Sequence, residues 1–121
     1  MNVNLNYWKA GLKTALLDVS DEQAQRDIWF GNSNYVDNPG ECVCRLFDDF
    51  AFKDFIKLPE LNLTKEQLAA SHDLLEKFAL FSETESVNEF GALIPKDTID
   101  DPKWQDIRRS AQHLYDLIKN I

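Results

Sequence analysis

The chain is poor in the residues that build cofactor loops, staples and metal cages. Its 121 residues include four glycines, four prolines, two cysteines and two histidines. The scattered glycines form no phosphate-cradling loop, and neither Gly-x-Ser-x-Gly nor His-Glu-x-x-His occurs. Cys42 and Cys44 are one residue apart, so a disulfide between them would close a small, strained ring. Two thiols with no His-x-x-x-His to complete them do not make a four-ligand zinc site. One cysteine is expected to pack inward as a small hydrophobe and the other to lie at the edge, as suits a reducing compartment. No apolar run approaches the ~18 residues of a spanning helix, and the polar start Met1-Asn2-Val3-Asn4 is no signal peptide. A cytoplasmic location is expected. Basic residues are also scarce: 13 Lys+Arg face 21 Asp+Glu, for a net charge of −8. That balance excludes a duplex nucleic-acid binder, which needs a basic surface, and docking on an anionic membrane.

What is present describes a globular protein. Hydrophobic residues make up 44% and charged residues 28%, and the length suits one domain with a proper core. Leu5, Trp8, Leu12, Ala15 or Leu16, and Val19 recur at three- and four-residue steps, predicting a helix from about Leu5 to Asp18. Ser20 and Gln23 read as a capping box for a second helix, which carries Ala24, Ile28 and Trp29 inward and stops near Gly31. Turn formers then dominate from Gly31 to Gly40, a loop of roughly ten residues.

A third helical stretch begins at Pro39 to Glu41 and carries Val43, Leu46, Phe47, Phe50 and Ala51. Phe52, Phe55, Ile56 and Leu58 continue the apolar content to Pro59, and a bend near Asp48–Ala51 lets both aromatic groups face a core. Thr64 and Gln67 form a second capping box, opening an amphipathic helix with Leu68, Ser71, Leu74, Leu75, Phe78 and Phe81 on one face. Ser82 to Asp101 reads as a second irregular region. The last helix opens on Asp101 and Pro102 and buries Trp104, Ile107, Ala111, Leu114 and Ile118. The expected fold is all-α: residues 1–121 as a single compact domain of about five helices with two long irregular loops.

No spacing assembles a nucleophilic or metal site. His72 and His113 fall in separate helices; the His72–Glu76 pair reads as a helix-surface contact, and His113, beside an apolar stripe, as partly buried. Glu41, Asp48 and Asp49 are the carboxylates best placed for acid–base or metal work, with His72 as a conceivable third ligand. Adjacent α-helical positions point about a hundred degrees apart, so Asp48 and Asp49 do not converge by spacing alone. No enzyme, cofactor or metal is expected. The acids gather instead in the irregular segments. From Glu83 to Asp101 six acids face Lys96 alone, a balance of −5, and from Asp37 to Glu60 six acids face three bases, a balance of −3. Beside the aromatics Trp29, Phe30 and Tyr35, such charge suits a docking surface for a basic protein, with steered association.

The stretch Arg26-Asp27-Ile28-Trp29-Phe30-Gly31, with Pro39-Gly40-Glu41 and Leu46-Phe47-Asp48-Asp49-Phe50, resembles the small acidic immunity proteins of bacterial contact-dependent growth inhibition systems. The resemblance implies a non-enzymatic cytosolic inhibitor that binds a cognate basic toxin domain, often a nuclease, and blocks its active site. The transfer is of a surface type, acidic and aromatic residues on a helix and loop. The expected contact residues are Tyr35, Asp37, Glu41, Asp48 and Asp49, with Glu83, Glu85, Glu89 and Asp97 as a second patch. The alternative is a small helical adaptor or regulatory subunit acting through apolar protein contacts, suggested by the dense aromatics Phe47, Phe50, Phe52 and Phe55.

Overall fold

The computed structural model describes residues 4–31, 37–84 and 93–121, with 83 and 84 by backbone alone. Helix is the regular structure throughout, and no β-strand forms among the described residues. Seven α-helical segments occur among the described residues: α1 (Leu5–Ser20), α2 (Glu22–Trp29), α3 (Pro39–Cys44), α4 (Phe52–Phe55), α5 (Lys65–Thr84), α6 (Pro95–Ile99) and α7 (Pro102–Ile118). The stretch expected as two short helices or one kinked helix is α3 and α4, and the short α6 is the element not expected. A π-helical turn, Arg45–Asp49, continues α3, and a 3-10 turn spans Pro59–Leu61.

Caps set most of the boundaries. Asn4 opens α1 by accepting from the Tyr7 amide, Asn38 opens α3 from Glu41, and Asp101 opens α7 from Lys103 with Pro102 at its first position. The Thr64–Gln67 box forms as expected, with reciprocal bonds of 2.9 and 3.1 Å. The Ser20–Gln23 box does not. Ser20 still belongs to α1 and donates back to the Leu17 carbonyl, so Asp21, at extended ψ 90°, becomes the cap and accepts from Ala24. Gln23 faces out and donates to Asp27. The region 82–101 also holds more structure than expected. The helix α5 runs to Thr84, and Pro95, whose ring presets a helical φ, starts the single turn α6.

The bend expected near Asp48–Ala51 is present and has an unusual build. After the π turn, Ala51 sits at φ 44°, ψ 59°, a left-handed conformation that costs a residue with a Cβ roughly 1–2 kcal/mol. The reversal sends Phe52 and Phe55 into the core and leaves Phe47 and Phe50 half-buried against it.

The central element is α7, against which both α1 and α5 pack. All five residues of its expected stripe are buried, as are Leu12, Ala15, Leu16 and Val19 of α1 and Leu74, Phe78 and Phe81 of α5. With helices on two sides, α7 buries a wider arc than one stripe, so Arg108 and Ser110 are also enclosed. His113 lies on the remaining face and is exposed, not partly buried. Trp104 is the aromatic hub, with ring centroids 5.7 Å from Trp29, 6.4 Å from Phe78 and 5.5 Å from Phe81.

Glutamine side chains satisfy the helix ends that the fold encloses. Gln25, 2% exposed, donates from Nε2 to the Asp18 and Val19 carbonyls, orphaned acceptors of the last turn of α1. Its Oε1 accepts from Trp104 Nε1 at 3.1 Å and from Arg108 at 3.4 Å. Arg108 also donates to the Ile99 carbonyl and pairs with Glu22 at 3.2 Å, tying α2, α6 and α7 together. Burial lowers the pKa of this guanidinium, partly offset by Glu22. Gln67, in the box that opens α5, also donates to the Leu117 carbonyl near the end of α7.

Candidate partner-binding surface

The local chemistry of α3 and its π turn decides which acids are free. Arg45, at the start of the turn, points back and holds two carboxylates, Asp18 of α1 and Asp37, each at 2.8 Å. Burial alone would lower its pKa, but the hydrogen bonds from Asp37 and Asp18 outweigh that and raise it, so the guanidinium stays charged. Asp37, expected as a contact residue, is therefore engaged inside the fold. Its side chain is 15% exposed, and it also lies 3.5 Å from the Cys42 thiol.

The same segment carries Glu41, Asp48 and Asp49, all exposed. No cation among the described residues pairs with any of them, whereas Asp18, Glu22, Asp37, Asp73, Asp100 and Asp106 are all in ion pairs. Cys44 marks their common ground. Desolvation raises the pKa of its thiol first, followed by the charge and hydrogen bond of Asp48 and the charges of Glu41 and Asp49. Three of the expected contact residues thus bear on the Cys44 thiol, in a segment that holds the π turn and the left-handed Ala51. π turns and left-handed alanines persist where surrounding structure enforces them, and both cluster at functional sites.

The other expected residues are placed differently. Asp97 is exposed on α6, an element packed on α2 and α7. Tyr35, Glu85, Glu89 and the side chain of Glu83 lie outside the described residues. Trp29 belongs to the core, and the exposed aromatic of that segment is Phe30. His72 is exposed on α5, and no group of three His, Cys, Asp or Glu side chains among the described residues is arranged to hold a metal. No helix of the described residues is long and apolar enough to cross a membrane.

Next to the acidic surface lies a feature the sequence pattern did not single out. A hollow of about 320 Å³ is lined by Tyr7, Ala10, Gly11, Thr14, Ala15, Arg45 and Phe50. The Phe50 ring rests on Gly11, where any Cβ would overlap it. Trp8 Nε1 donates to the Phe50 carbonyl at 2.6 Å and fixes that backbone in place. The available signal was Gly11 itself, an isolated glycine inside a helical pattern, which marks close packing. A second apolar groove, of about 340 Å³, lies between Val43, Phe47, Lys53, Leu75, Phe78 and Leu93, and neither lining includes an acid.

The two cysteines behave as the sequence predicts, Cys42 buried and Cys44 exposed, both free. Burial, with the Asp37 charge next, pushes the Cys42 thiol up to about 12. In the folded protein at pH 8 a disulfide reagent is expected to label Cys44 alone, with Cys42 reacting only on unfolding. Equal labelling of both would contradict that burial. A folded pKa above the ordinary 9.0 adds stability that is complete below pH 9 and lost as pH rises towards 12. Cys42→Ala is expected to flatten the alkaline decline in stability, whose limiting slope is about 1.4 kcal/mol per pH unit for one proton.

Comparisons with protein-family models, curated proteins and solved structures gave no match for this chain.

Proposed function

We propose that the chain is a binding protein that inhibits a basic partner, an immunity protein that docks on a cognate toxin domain through its acidic surface. A nuclease toxin suits this best, since its substrate site is cationic and an acidic partner gains both steering and complementarity there. The observation that carries the reading is the division of the acids around α3 and its π turn. Arg45 binds Asp37 inward, while Glu41, Asp48 and Asp49 stand together without a cation. These three exposed acids, in no ion pair, leave net negative charge facing outward. The resemblance of Leu46-Phe47-Asp48-Asp49-Phe50 to immunity proteins points the same way. The proposal expects a large secreted toxin to be encoded immediately upstream. Co-purification with that toxin domain, and survival of cells that express both, are the expected results; no binding at micromolar concentration together with no protection would refute the reading.

A second reading, a helical adaptor, draws on the apolar groove between Val43, Phe47, Leu75 and Phe78. Phe52 and Phe55 are consumed by the core, which leaves that groove as its main support. A partner of this kind would bind with little salt dependence, in contrast to the acidic surface.

A further inference from the structure

We propose that the groove between Val43, Phe47, Leu75, Phe78 and Leu93 binds a small apolar molecule carrying one carboxylate, a medium-chain fatty acid in kind, with Lys53 pairing with its charged end. The groove is thereby assigned to a small molecule and not to a protein partner. The inference stands independently of the acidic surface.

Three observations carry it. First, the apolar surface is recessed. Phe78 and Phe81 are buried, and Val43, Phe47, Leu75 and Leu93 are half-buried. The large hydrophobic side chains that stand exposed among the described residues, Tyr7, Leu17, Phe30 and Leu80, are not in the lining. A recess of about 340 Å³ falls within the roughly 300–1,000 Å³ of small-molecule sites. Second, the walls are set by the core. The Phe47 ring meets Phe78 edge-on at 5.0 Å and Phe52 at 5.9 Å, and both Phe78 and Phe81 pack on Trp104. Rings held in this way lose little freedom when a ligand binds. Third, Lys53 is the one charged residue in the described lining, and it is exposed and in no ion pair.

Charge selects the headgroup. A cationic ligand would meet only Lys53, and a neutral one would leave that ammonium unused. A carboxylate pairs with it while the tail lies against the phenylalanines, and the methylene stem of the lysine adds to the apolar contact. The hollow at Phe50 has no such free charge, because Arg45 is already held by Asp18 and Asp37. The net charge of −8 acts in the opposite sense and draws cations to the molecule as a whole. A preference of the groove for an anion therefore reports Lys53 and not the long-range field.

The test is a titration of methyl-labelled protein at neutral pH with octanoate, octanol and octylammonium, three ligands with one tail and different charge. Octanoate is expected to move the methyl signals of Val43, Leu75 and Leu93, and to bind there about fivefold or more tightly than octylammonium. Lys53→Met keeps the stem and removes the charge at an exposed position, so the fold spectrum is expected to stay unchanged. It is expected to weaken octanoate about two- to fivefold and to leave octanol as it was. Octylammonium binding in the groove as tightly as octanoate, or no effect of Lys53→Met, would overturn the assignment of the headgroup. Groove signals unmoved by all three ligands would overturn the site itself, as would octanoate shifts confined to Gly11 and Phe50. Groove signals that move on dilution of the protein alone would mean that a second copy of the chain covers the groove, and would overturn it too. None of these failures touches the acidic surface.

Discussion

Gln25→Ala is expected to lower the stability of the fold by about 2–4 kcal/mol, well above the effect of an ordinary surface substitution. The reason lies in what one amide satisfies. Its Nε2 serves the Asp18 and Val19 carbonyls, and its Oε1 serves Trp104 Nε1 and Arg108. Truncation strands these groups in an enclosed site, and an unmade hydrogen bond there costs more than the same bond contributes at the surface. Arg108 retains Glu22 and Ile99, which limits the loss. Denaturant unfolding of Gln25→Ala, Trp104→Phe and the double variant is the measurement. The two changes share a bond and are expected to be less than additive. A loss below about 1 kcal/mol for Gln25→Ala would mean that water replaces the amide at the end of α1.

Reversing two charges on the acidic surface is the second large effect. The pair Asp48→Lys and Asp49→Lys is expected to weaken binding of a basic partner by about a hundredfold or more. Stability is expected to change by only about 0.5 kcal/mol, because both side chains are exposed and neither is in an ion pair. A second pair supplies the comparison. Glu66→Lys and Glu76→Lys, exposed on α5, change the net charge from −8 to −4 just as the first pair does. If the surface acts locally, the α5 pair weakens binding far less, through the long-range field alone. Equal losses from both pairs would reduce the role of Asp48 and Asp49 to a share of the total charge.

Features set by neighbours in the chain were legible before the structure. The Thr64–Gln67 box, the Asp101–Pro102 start and the buried stripe of α7 each depend on residues three or four apart. Ser20 misled because Asp21 stands next to it, and which of two adjacent capping residues is used depends on where α1 ends. Gln25 was invisible as a core residue. Its value comes from Trp104 and Arg108, partners 79 and 83 positions away. The candidate surface divides in the same way. Glu41, Asp48 and Asp49 could be named as acids near aromatics, but the π turn that carries Asp48 and Asp49 is one that no local spacing specifies. Asp37 looked like a free loop acid and is held by Arg45, while Gly11 acquires its meaning only when Phe50 folds back over it.

The most direct measurement is the association rate of the protein with a basic toxin domain, the partner proposed for it, followed by stopped flow from low to high salt. A surface that steers a basic partner through Glu41, Asp48 and Asp49 predicts a rate falling by about tenfold or more with added salt. It also predicts that the Asp48→Lys and Asp49→Lys pair removes most of that dependence. A rate insensitive to salt, or one unchanged by reversing these two charges, would contradict the assignment of this surface as the site of recognition.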